Sequence, residues 1–134
     1  MSEVIVDTSA WIESFRPQGD PELKEEVRQL ILQGKILLPG IIRAEILRGA
    51  KSEEEYRELS ELLGSLTYLP VEDSFWEELA KFSFDLLRAG LTIPLTDAYV
   101  ALLAIKNRVP LLHRDRRFDL IAQRTSLEIL RRTE

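Results

Sequence analysis

Val4-Ile5-Val6-Asp7-Thr8-Ser9-Ala10-Trp11-Ile12 is the stretch whose reading sets the fold. Three consecutive β-branched apolar residues fit a short strand covered on both faces, as strands of a parallel sheet are. Asp7 ends the run. From there the apolar spacing becomes helical, with Trp11 and Phe15 one turn apart. A strand that passes through an acid directly into a helix is the opening of a β–α unit.

The remaining chain repeats this alternation. Asp20-Pro21 starts a helix, with Asp as cap and Pro in the first turn, and it runs to Leu32 before Gly34. Ile36 to Leu38 reads as a second strand, and Ile41 to Arg48 as an apolar helix. Ser52/Glu55 and Ser74/Glu77 have capping-box spacing and predict helices near 53–64 and 75–89, with a strand at Thr67 to Val71 between them. Asp97 to Asn107 is apolar nearly all round, which predicts a buried helix with Thr96 as its cap. Val109 to His113 is a further strand. A basic loop, a short helical turn and a strand-like piece at Leu127 to Leu130 follow. Alternating strands and helices predict an α/β fold with a mainly parallel sheet, in one domain spanning residues 1–134. Ligands of such sheets bind beyond the C-terminal strand ends.

Composition narrows the chemistry. The 134 residues contain no cysteine and one histidine, His113. Disulfides, thiolate nucleophiles, iron–sulfur clusters, cysteine zinc sites and a two-histidine acid–base ribonuclease are all excluded. A metal here must be held by oxygen, which favours Mg²⁺ or Mn²⁺. The longest apolar run, Ala98 to Ile105, is eight residues, against the ~20 of a membrane helix. A soluble cytoplasmic protein is the expectation. The net charge of −5 is uneven: residues 1–75 hold 8 basic and 15 acidic side chains, whereas 106–132 hold 8 and 3. A basic C-terminal quarter can bind a polyanion or be plain solvated surface.

Four acids stand apart from the charged runs. Asp7 follows the first strand, where it can cap the next helix or serve a site. Glu45 interrupts an apolar helix, where it needs a partner such as Arg48, or a metal. Asp97 opens the most apolar helix and is the only acid between residues 86 and 114. Asp115 follows the last long strand among Arg114, Arg116 and Arg117. Each has a local explanation. All four are accounted for together if they converge on a hard divalent cation. Carboxylates gathered at one point repel unless a metal offsets their charge. Such clusters hydrolyse phosphodiesters, with arginines to hold phosphate.

The sequence resembles the PIN-domain ribonucleases, and among them the VapC-type toxins of prokaryotic toxin–antitoxin pairs. The matching pieces are Val4 to Ile12, Ala44-Glu45-Ile46-Leu47-Arg48-Gly49, Leu95-Thr96-Asp97-Ala98 and Pro110 to Phe118, in the family's order. The resemblance implies a three-layer α/β/α sandwich and a Mg²⁺- or Mn²⁺-dependent endoribonuclease. Asp7, Glu45, Asp97 and Asp115 match the family's acidic metal-binding quartet. Ser9 matches a small polar position lining the site, and Asp119 an auxiliary acid. It further implies structured RNA (tRNA or rRNA) as substrate, a cognate VapB-like antitoxin as partner, and a homodimer. The family has Thr or Ser two residues before its last acid; here that position is His113, which changes hydrogen bonding or adds a phosphate contact. Arg114, Arg116 and Arg117 are the candidate RNA-binding residues.

Two other functions share these features: a non-toxic PIN nuclease of RNA processing, and a PIN-like RNA-binding or scaffold module that does no catalysis. The retained acids speak against the second. Trp11, Phe15, Phe75, Trp76 and Phe82 are expected mainly in the core, with Trp11 a candidate to face a partner. The apolar surplus of helices 41–48 and 97–107 is a candidate dimer interface.

Overall fold

A computed structural model describes residues 3–130. In chain order the elements are β1 (Val4–Val6), α1 (Thr8–Phe15), α2 (Pro21–Leu32), β2 (Ile36–Pro39), α3 (Gly40–Arg48), α4 (Glu53–Gly64), β3 (Thr67–Leu69), α5 (Phe75–Arg88), α6 (Leu95–Asn107), β4 (Leu111–Leu112) and α7 (Arg117–Ala122). The four strands form one sheet in the order β3-β2-β1-β4, and every pairing is parallel. Ile129 adds a single parallel bridge beyond β4, opposite Leu111.

Strand order and crossover handedness fix the layers. Steps from β1 to β2 and from β2 to β3 run one way across the sheet. The return from β3 to β4 runs the other way. Right-handed crossovers then put α1–α4 on one face and α5–α6 on the opposite face. The packing agrees, with α1 against α2 and α3, α3 against α4, α5 against α6, and α6 against α7. This is a three-layer α/β/α sandwich. Its core is continuous, from Val4, Ile5 and Val6 of β1 through Trp11, Ile36, Ile42 and Phe75 to Leu111 and Phe118.

β1 is paired on both sides, Ile5 standing opposite Leu37 and Leu111. All three of its residues are buried, as its unbroken apolar run requires. Its C-terminal end, like those of β2 and β4, opens on one edge, and there the chain delivers Asp7, Gly40 and His113.

Several boundaries differ from the sequence reading. α6 begins at Leu95, capped by Pro94 rather than Thr96, so Asp97 sits inside its first turn. Ser74 makes no side-chain cap bond to α5 and has helical φ/ψ, whereas Ser52 caps α4 as expected. β4 is two residues long, and the last strand-like piece is the Ile129 bridge. Trp11 is fully buried, so it cannot face a partner, and Trp76 is half exposed at 54%. The apolar surplus of α6 (Ala98, Val100, Ala101, Leu102, Leu103, Ala104) is buried within this one chain, which removes it as a dimer face.

Among the described residues three adopt positive φ: Gly34 after α2, Gly90 after α5 and Arg108 after α6. Two are glycines, as a left-handed helix end favours. Arg108, at φ 55, carries a Cβ that crowds the adjoining carbonyl there. We expect Arg108→Gly to stabilise the protein by about 1 kcal/mol, measured by urea unfolding. Destabilisation would mean that the arginine side chain makes contacts worth more than the strain.

Candidate active site

Asp7 is the only charged residue among the described ones that is fully buried, at 6% exposure. Its N–H donates to Leu112 O of β4 at 2.9 Å, and its carbonyl accepts from Ala10 and Trp11 in the first turn of α1. Its Oδ2 accepts from Ser9 N (2.9 Å) and Ser9 Oγ (2.6 Å). Asp7 is therefore the helix cap that an Asp at this position suggests. The cap also holds its carboxylate at the open end of the sheet.

Ser9 does more than line the edge. Its Oγ donates to Asp7 and accepts from Arg114 N at 2.9 Å. One hydroxyl thus joins the end of β1 to the loop after β4. Glu45 does not pair with Arg48; its Oε1 accepts from Thr8 Oγ1 at 2.6 Å. Thr8 was not singled out in the sequence, where it reads as an ordinary first-turn residue. Its adjacency to Asp7 is the one available signal.

Asp97 is the centre of the electrostatics. Burial, followed by the negative charge of Asp7, raises its pKa to about 6, against a partial lowering by Arg117; Asp115 and Glu45 add smaller increases. Asp97, on α6, therefore feels the charge of three acids from other segments: Asp7 after β1, Glu45 of α3 and Asp115 of the β4–α7 loop. Asp97 Oδ2 is buried and accepts no hydrogen bond. It faces Arg117 Nη1 at 3.6 Å, an ion pair too long for a hydrogen bond.

The β4–α7 loop is tightly wired. Asp115 Oδ1 accepts from Arg117 N (3.0 Å) and Nε (3.3 Å). His113 Nδ1 accepts the Asp115 N–H at 3.0 Å, and its Nε2 lies 3.2 Å from Asp119 Oδ1. With Nδ1 an acceptor, the neutral ring carries its proton on Nε2 and donates it to Asp119. His113 is thus a hydrogen-bonding strut at the usual Thr/Ser position, not a phosphate contact, because its side chain is only 7% exposed. Asp119 serves His113 and is not among the acids that act on Asp97.

The arginines divide. Arg114 pairs with Asp20 at 3.1 Å, tying this loop to the start of α2 across 94 residues of chain. Nothing in the local sequence marks that partnership. Arg117 is engaged by Asp97 and Asp115. Arg116 makes no ion pair or side-chain hydrogen bond among the described residues. Arg131 and Arg132, part of the basic stretch, lie outside those residues.

Among the described residues no group of three or more His, Asp or Glu side chains is arranged as it stands to hold a metal ion. Thr8 holds Glu45, and a guanidinium stands beside Asp97 and Asp115. The donor set is nonetheless what a hard cation needs. Every donor is a carboxylate oxygen, and one, Asp97 Oδ2, is buried without a hydrogen bond.

A parallel sheet in the order β3-β2-β1-β4, with an acid at its C-terminal edge that feels the charge of three others, defines a class of protein. The PIN domain family matches residues 4–123, and the chain belongs to that family. It is 35% identical over 129 residues to ribonuclease VapC11 of Mycobacterium tuberculosis, covering 93% of this chain and 96% of that protein. Its fold matches VapBC2 of Rickettsia felis bound to a promoter DNA fragment (TM-score 0.76, 16% identity, 95% of this chain and 96% of that one). It also matches DNA-bound VapBC of Salmonella typhimurium (TM-score 0.75, 19% identity, 97% and 98%).

The raised pKa of Asp97 has a stability signature. Unfolded, the group ionises near its ordinary value of 3.8; folded, near 6. Below pH 4 both states are protonated and nothing is lost. Between pH 4 and 6 the unfolded state alone gives up its proton, so folding stability falls as pH rises. We expect Asp97→Asn to melt higher than the parent at pH 7.5 in EDTA, with the gap closing near pH 4. A lower melting point for the variant at pH 7.5 would mean that the pair with Arg117 outweighs burial and repulsion.

Proposed function

We propose that this chain is a metal-dependent endoribonuclease, the toxin component of a VapBC-type pair, acting on structured RNA of the tRNA or rRNA class. One observation carries the proposal: a largely buried acid, Asp97, with an oxygen that accepts no hydrogen bond, feels the charge of Asp7, Glu45 and Asp115 from three other segments. Such an arrangement destabilises the fold at neutral pH and is retained where it serves chemistry.

Asp7, Glu45, Asp97 and Asp115 are the residues that would hold Mg²⁺ or Mn²⁺. When bound, the ion would lower the pKa of a coordinated water and offset charge on the phosphate. The protein's own contribution is rigidity and field. Ser9 and the first turn of α1 fix the Asp7 carboxylate. Thr8 orients Glu45, and His113 holds the loop that carries Asp115. Arg116, at the loop surface, is the guanidinium left free to meet RNA phosphate.

Cleavage of a structured RNA pool by the purified protein is the direct test. We expect cutting with Mg²⁺ or Mn²⁺, none in EDTA, and a loss of about 10²-fold or more in Asp97→Asn, as when transition-state charge stabilisation is removed. Metal-independent cutting, or full activity in the variant, would refute the site. RNA binding without cutting would favour the scaffold reading.

A groove of about 580 Å³ beside the site supports a protein partner. It is lined by Ile12, Phe15, Ile46 and Leu59, with Glu55 and Glu58 and the basic Arg16 and Lys51, and it reaches Glu45. Ile12 and Phe15 are 44% and 42% exposed. An apolar floor ringed by charges of both signs suits an antitoxin segment whose apolar side chains enter the groove. We expect Ile12→Asp to keep nuclease activity and lose inhibition by the co-expressed neighbouring gene product. Undiminished inhibition would move the antitoxin elsewhere.

A further inference from the structure

Among the described residues Arg117 is the one basic side chain that reaches two of the four acids. It opens α7, and through it the fold places a positive charge where the metal reading requires another. Its backbone N–H and Nε both donate to Asp115 Oδ1, and its Nη1 lies 3.6 Å from Asp97 Oδ2. That Asp97 oxygen is buried, accepts no hydrogen bond and would otherwise be open to a cation.

The two contacts differ in strength. At Asp115 the arginine is hydrogen-bonded. At Asp97 the pair is beyond hydrogen-bond length, so it is electrostatic and readily exchanged. The Arg117 side chain is 47% exposed, and a long, solvated arginine can swing into water without leaving a hole. Asp97, with 18% of its side chain exposed, has no such freedom. On exchange the arginine would move and the acid would stay.

We propose that Arg117 is a tethered counter-cation: it neutralises Asp97 and Asp115 in the metal-free protein and competes with the divalent ion for them, so it sets the ion's affinity. This rests on the metal reading above and deepens it. A divalent ion held by Asp97 would be repelled by the Arg117 guanidinium, and that repulsion would lower affinity by roughly tenfold at a partly solvated site. The guanidinium would then give up its contact with Asp97 to the ion. Arg117 therefore differs from its neighbour Arg116, which makes no ion pair among the described residues, and from Arg114, which pairs with Asp20.

The test is Mn²⁺ binding, read without RNA from the loss of the free-ion electron paramagnetic resonance signal. The proteins compared are the parent, Arg117→Gln, Arg117→Lys and Asp97→Asn, each checked for folding by circular dichroism. We expect Arg117→Gln to bind Mn²⁺ about tenfold tighter than the parent, with the gain shrinking as salt is raised. Arg117→Lys keeps the charge and should stay within about threefold of the parent. Asp97→Asn should lose binding. Equal or weaker binding by Arg117→Gln, with Asp97→Asn still defective, would overturn the role of Arg117 and leave the metal site standing. Absence of binding in both parent and Arg117→Gln, or full binding in Asp97→Asn, would overturn the metal reading and this proposal together.

Discussion

Asp7 carries three duties on one residue, and the rest of the structure is arranged around that. Its N–H continues the sheet to Leu112, its carbonyl starts α1, and its carboxylate accepts from Ser9. A buried carboxylate is tolerable only when hydrogen-bonded. The strand-to-helix turn supplies those donors locally, from the N–H and hydroxyl of Ser9 two residues on, with no side chain from a distant segment. The central strand therefore cannot be placed without also placing a negative charge at its tip. Every other acid at this edge is added against that fixed charge, and Asp97, its pKa raised first by burial and next by Asp7, registers part of the consequence.

Charge balance at this edge comes from the chain itself. Arg117 faces Asp97 and Asp115, Arg114 faces Asp20, and Thr8 donates to Glu45. The edge is a set of carboxylates each given a modest partner, none strong enough to neutralise the cluster. A fully paired cluster would have no remaining affinity for a cation, and a wholly unpaired one would strain the fold near neutrality.

Much of this was legible in the sequence because its signals are local. The run Val4-Ile5-Val6 announced a strand buried on both faces, and Asp20-Pro21 and Ser52/Glu55 announced helix starts that the structure has. The acids were visible through their isolation in apolar surroundings. Failures arose where a local rule was overridden. Ser74 has capping-box spacing but takes helical geometry, and Pro94 rather than Thr96 begins α6. Trp11 looked available on a short helix, yet α1 is pressed against α2 and α3 and buries it. Contacts between distant segments carried no signal at all. Arg114 with Asp20, Thr8 with Glu45 and Ser9 with the Arg114 N–H depend on which strands become neighbours.

The strand order has a further consequence in time. β1, the first strand synthesised, lies between β2 and β4, the last. The acids at its tip are drawn from positions 7, 45, 97 and 115 of a 134-residue chain. During translation the early part of the chain can fold as it emerges, but one flank of β1 stays open until β4 arrives to receive the Asp7 N–H. The acidic edge is therefore completed only when β4 and the loop after it join the early strands. A ribosome making this protein holds an incomplete site until β4 and Asp115 have emerged, and a product cut short before them carries the early acids without the edge that unites them.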